Sequence, residues 1–167
     1  GVSKAKNAGL NEVPTRSDWV VLLDADTRVG PDFLGQLGRY LERPGLRGAV
    51  IGSARLRPEG GGRKAELWFA WLNTVHRLTR TSMSLQIVRG DVARRVRFRE
   101  DLTTNEDTAF IRRCLQTGRF FFWDTSEVTT SIRRFERHGF SRVVLYWMFS
   151  PFLPSRHPLR AGYKPVR

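Results

Sequence analysis

The sequence predicts an α/β sandwich, with helices on both faces of a mostly parallel central sheet. Three observations carry that expectation. Strand-like and helix-like segments alternate along the chain. The run Trp19-Val20-Val21-Leu22-Leu23 is continuously apolar, as a central strand buried on both faces must be. The length of 167 residues, 40% of them hydrophobic, suits about one domain with a substantial core.

Each element follows from local chemistry. Residues 1–10 read as a short helix in which Ala5, Ala8 and Gly9 permit close packing, and a loop with Pro14 leads to the Trp19–Leu23 strand. Gly30-Pro31-Asp32 opens a helix, because proline suits the first helical position and an acid suits the first turn. Phe33, Leu34, Leu37, Tyr40 and Leu41 form its apolar stripe, and Pro44-Gly45 stops it. Ala49–Ala54 reads as a second strand, 58–63 as a Gly-rich loop, and Ala65–Leu78 as a helix with Trp68, Phe69 and Trp71 in the core. A short strand over Leu85–Val88 and a short helix over Asp91–Val96 follow. Next come a helix over Glu106–Thr117, strands over Phe120–Trp123 and Val128–Ile132, and an amphipathic helix over Phe140–Phe149. Residues 1–150 are expected to form a partial domain, and 151–167 a basic extension.

Composition narrows the function classes. The single Cys114 excludes an internal disulfide and a Cys-based zinc site, and makes the cytoplasm the default location. The apolar stretch Val143–Leu153 is broken by Ser150 and Pro151, and is shorter than the ~20 residues that span a bilayer. The chain begins at Gly1 rather than Met, so it reads as a fragment whose start lies upstream. The net charge of +13 attracts phosphate, whether in nucleic acid, a membrane surface or a phosphorylated substrate. Charge alone does not choose among these. A basic nucleic-acid-binding module is thus an alternative, although neither an aromatic platform nor a Lys/Arg-rich reading helix is evident.

Two acidic groups stand at element ends. Asp24 and Asp26 follow the first strand, where open α/β sheets bind ligands. Such a pair can present oxygens to a hard divalent cation. Spacing alone fits an Asx turn better. Asn105-Glu106-Asp107 precedes a helix. Thr103 and Glu106 fit a capping box, while Asp107 also suits a general base.

Taken in order, these pieces resemble the family 2 glycosyltransferases of the GT-A fold. Residues 1–9, GVSKAKNAG, resemble that family's G-x-x-x-A-R-N-x-G segment, with Lys6 where arginine is usual. Val20–Thr27 and Pro31–Leu34 resemble its strand, DxD motif and following helix. Gln86–Val92 is similar to its acceptor-side segment, and Asn105–Phe110 to the E-D motif that carries the base. Order and spacing make the set far more specific than any member.

The resemblance implies inverting transfer of a sugar from a nucleotide-diphosphate donor to a sugar, lipid-linked or other hydroxyl acceptor, as in the making of cell-envelope polysaccharide. Mn2+ or Mg2+ would bridge the diphosphate at Asp26, with Asp24 contacting the ribose or a metal-bound water. Asp107 would be the base, Glu106 would orient it, and Lys6 and Asn7 would lie near the nucleotide. It also implies that two N-terminal strands of the fold are missing, which raises a second alternative, a non-catalytic remnant. Ser131–Gly139 stands where processive members carry Q-x-x-R-W; Arg134 and Phe135 match its end, but Ser131 replaces glutamine, favouring single-sugar transfer. Arg133 and Arg134, with His138, suit the donor diphosphate or a phosphorylated acceptor, and equally a solvated basic helix start. Aromatic residues 146–152, with nearby arginines, are expected to allow peripheral contact with the inner face of the membrane. No nucleic-acid partner is expected.

Overall fold

The computed structural model describes residues 1–102, 105–139 and 143. Its elements begin with α1 (Val2–Asn11), β1 (Trp19–Leu23), β2 (Thr27–Val29) and α2 (Phe33–Leu41). They continue with β3 (Ala49–Ala54), β4 (Arg57–Glu59), α3 (Gly62–Thr79), β5 (Leu85–Arg89) and α4 (Gly90–Ala93). The last are α5 (Glu106–Cys114), β6 (Arg119–Trp123), β7 (Val128–Ser131) and α6 (Arg133–His138).

The main sheet has the order β1-β5-β3-β6. β3 pairs with β6 in parallel, whereas β5 is antiparallel to both β3 and β1. Strands β1, β3 and β6 therefore run one way, and β5 is inserted against them. A mostly parallel sheet is correct for strand direction, yet two of its three ladders are antiparallel. The reversal comes from β5 entering the sheet at the end where β1 leaves it, with Leu23 opposite Leu85.

Alternation along each strand feeds two cores. Trp19, Val21, Leu85, Ile87, Phe121 and Trp123 face α2 and α3, where Phe33, Leu37, Phe69 and Leu72 close the layer. Val20, Leu22, Val88 and Phe120 face α1, α4 and α5, meeting Leu10, Val92, Phe110 and Ile111. Packing on both faces is why these strands lack alternating polarity, but β1, expected as a central strand, is an edge strand among the described residues and is only partly buried. Gly52 is needed here, because a Cβ would stand 2.5 Å from the Phe121 ring.

A second sheet, ordered β2-β7-β4, lies across the ends of the first. β7 is the expected Val128–Ile132 strand, one residue shorter, whereas β2 and β4 are not evident in the sequence. Arg57–Glu59 forms a strand that takes in the start of the expected Gly-rich loop, held by parallel pairing to β7, and α3 begins at Gly62 rather than Ala65. Trp71 is not core: it is 43% exposed, while Phe69 is buried. The expected Phe140–Phe149 helix lies outside the described residues apart from Val143, and the 151–167 extension lies wholly outside them. Among the described residues no helix is long and apolar enough to cross a membrane.

Candidate active site

β1 delivers the chain to a turn at Asp24–Asp26. The turn is pinned from three sides: the Asp24 N–H donates to Ser84 O at 3.0 Å, Thr27 N to Asp24 O at 3.0 Å, and Ser131 N to Asp26 O at 3.0 Å. Behind it, the Thr27 hydroxyl donates to Thr130 Oγ1 at 3.0 Å in the buried interior. The backbone at both acids is thus held by hydrogen bonds to Ser84 and Ser131.

α1 crosses behind this turn and presents Lys6 and Asn7. The Lys6 ammonium lies 3.1 Å from Asp24 Oδ1 and 2.8 Å from Asp107 Oδ1, and 5.4 Å from the Phe98 ring centre. Its side chain is only 12% exposed, that of Asp107 17% and that of Asp24 36%. One cation therefore joins the acid after β1 to the acid in the first turn of α5, 101 residues away.

Burial dominates the electrostatics. It pushes the Asp107 carboxyl up to about 7; Lys6 opposes that shift, and the charges of Asp24 and Glu106 add to it. For Lys6, burial works against the charged form, but Asp107 and Asp24 outweigh it and hold the ammonium above its ordinary range. The pair is a fixed cation beside a carboxyl that gains and loses its proton near neutrality. That is the property a general base needs.

Asn7 makes three hydrogen bonds to residues 98–100. Its Nδ2 donates to Phe98 O at 3.1 Å and Glu100 Oε1 at 2.9 Å, and its Oδ1 accepts from Phe98 N at 2.8 Å. Phe98 then stacks on Phe110 of α5, with ring centres 4.0 Å apart and planes 7° from parallel. Asn7 so ties α1 to the segment packed beneath the helix that carries Asp107. Nothing in the sequence signals Phe98 or Glu100 as its partners, since 91 residues separate Asn7 from Phe98.

Asp26 is exposed and opens on the other side of the turn. There a cleft of about 380 Å³ is lined by Ala25, Asp26, Arg28, Glu59, Ser131, Ile132, Arg133 and Glu136. Arg133 lines this cleft with its Nε on Ser131 Oγ at 3.1 Å. Arg134 is in α6, but its side chain lies outside the described residues, as does Thr103 of the expected capping box. Asn105 precedes α5 with φ 61°. Glu106 and Asp107 occupy the first turn of α5, where the helix dipole favours negative charge. The carboxylates of this cleft are Asp26, Glu59 and Glu136, of which Glu59 pairs with Arg28, while Asp24 lies at the Lys6 side of the turn. Among the described residues no three His, Cys, Asp or Glu side chains converge.

A comparison with the curated proteins finds no match. Residues 1–103, more than half of the chain, match the family model described as "Glycosyl transferase family 2". The match spans Lys6, Asn7, Asp24 and Asp26, and ends short of Asp107. This chain belongs to glycosyl transferase family 2.

Proposed function

We propose that the chain is an inverting, metal-dependent and non-processive glycosyltransferase. It would move a sugar from a nucleotide-diphosphate donor to an acceptor hydroxyl. The observation that carries this reading is the Lys6 ammonium held between Asp24 and Asp107, which brings the donor-side acid and the candidate base to one place. A general cation excess gives no reason to bury a lysine between two carboxylates.

Members of the family generally use a divalent metal. The donor set fits one that is shared with substrate. A hard cation at a diphosphate commonly takes only one or two protein carboxylates, the rest of its shell being phosphate and water, and the turn offers Asp24 and Asp26. Bound there, a cation would offset the negative charge that develops on the leaving diphosphate. Arg133, which lines the same cleft as Asp26, would add positive charge to the same phosphates.

Asp107 takes the proton of the acceptor hydroxyl. The freed oxygen attacks the anomeric carbon from the face opposite the diphosphate, the carbon–oxygen bond to the diphosphate breaks, and configuration inverts. Lys6 keeps the Asp107 carboxylate turned toward the donor side and limits the cost of its charge. Glu106 orients the base from the same helical turn, and Asn7 sets the height of α5 through Phe98. A cytoplasmic site is part of the reading, supported by the buried, unpaired Cys114.

The test is nucleoside-diphosphate release from UDP- and GDP-sugars in the presence of Mn2+. The reading expects Asp107→Asn to lower turnover by ~10²–10⁴ while nucleotide binding stays intact. Equal turnover in Asp107→Asn would refute the base assignment.

A further inference from the structure

The outer face of α3 is unlike the rest of the surface. This helix of 18 residues extends over ~27 Å, with Ala65, Phe69, Leu72 and Asn73 buried on its inner side. On its outer side Leu67, Trp71 and Leu78 are 73%, 43% and 76% exposed. At ~100° per residue these three lie within about 40° of one another, on a line that the exposed Thr74 also occupies with its hydroxyl turned onto Ala70 O. Arg63 and Lys64 fall on opposite sides of that line, within about 40–60° of Leu67, and Glu66 is turned about 100° away. The final turn adds Arg77, and Arg80 caps the helix. Cations therefore stand at both margins of a ridge of leucine and tryptophan, Arg63 and Arg77 on one side and Lys64 on the other.

We infer that this face of α3 docks on an anionic phospholipid bilayer. Leucine and tryptophan on one helical line enter the headgroup boundary, while lysine and arginine at its margins stay with the lipid phosphates. Charge argues against a second copy as the occupant. Self-association would set Arg63 and Lys64 of one chain against like charges of another, in a protein of net charge +13. The surface is distinct from the acid-lined turn but connected to it: α3 passes through residues 80–84 into β5, and Ser84 O accepts the Asp24 N–H. A docked α3 would hold the turn near the lipid surface, where a lipid-linked hydroxyl acceptor is presented.

Flotation of the 167-residue chain with vesicles tests the inference without any turnover, so its outcome is separate from that of the transferase reading. The chain is expected to float with phosphatidylcholine vesicles containing phosphatidylglycerol, and not with phosphatidylcholine alone. The variant L67S/W71S/L78S keeps every charge, and its altered side chains are exposed, so an unchanged far-UV circular dichroism spectrum is expected. It should lose at least about tenfold in vesicle partitioning. The paired variant R63Q/K64Q should also float less. Absence of wild-type flotation would overturn the inference. So would equal flotation of the triple variant, which would assign binding to net charge or to another segment such as residues 146–152. A change of oligomeric state in that variant, without loss of flotation, would assign the face to a second copy instead.

Discussion

Asn7→Ala separates an architectural role for this residue from a nucleotide contact. The side chain is 9% exposed and makes three hydrogen bonds, two of them to the backbone of Phe98, itself 2% exposed. Removing it orphans a buried N–H and a buried carbonyl, at about 1–3 kcal/mol each. Water entering the vacated space restores part, so the expected loss of stability is about 2–4 kcal/mol. With an m-value of about 2 kcal/mol/M, the urea midpoint should fall by about 1–2 M. Asn7→Asp should do no better, because it keeps the acceptor for Phe98 N but sets a carboxylate against Phe98 O and Glu100. Urea unfolding followed by circular dichroism measures both. A midpoint shift below about 0.3 M, together with a loss of nucleotide affinity, would refute the strut and restore Asn7 to the nucleotide.

Three further outcomes are expected. Turnover should rise with pH through about 7 as Asp107 loses its proton, and Lys6→Met should move that limb to higher pH, because an opposing cation is removed; a flat profile from pH 6 to 8 would exclude Asp107 as the base. The same raised carboxyl has a stability consequence. Between about 4 and 7 the native state holds a proton that the unfolded chain has released, so this group's contribution to stability falls as pH rises across that window. Asp107→Asn should flatten that dependence in pH-resolved urea titrations. Gly90→Ala should lower the urea midpoint by the equivalent of about 1–3 kcal/mol, since its Cβ would overlap the Ser17 carbonyl oxygen; an unchanged midpoint would show that the junction of β5 and α4 yields freely.

The parts of the fold that were legible in the sequence are those where local pattern and burial agree. Trp19–Leu23 is continuously apolar because its alternate residues enter two different cores, and its bounds are as expected. In the second sheet β7 was legible, but β2 and β4 were not, for the opposite reason. β2 and β4 have three residues each and are largely exposed, and β4 is held by parallel pairing to a strand about 70 residues later, which no local signal reports. The reversed β5 was hidden because an apolar strand buried on both faces has the same composition in either direction. Trp71 misled because helical spacing gives a face but not what covers it. Within the site, Asp24, Asp26 and Asp107 stood out as acids at element ends. The bridge through Lys6 did not, being a contact across 101 residues made by a lysine like many others in a basic chain.

The donor reading makes a direct claim on Asp26, the exposed acid of the turn. Titration of UDP and GDP into the chain, with and without Mn2+, tests it. The account predicts binding of at least one nucleotide that requires Mn2+, is lost in Asp26→Ala, and persists in Asp107→Asn. Binding that ignores Mn2+, or that survives Asp26→Ala unchanged, would contradict it.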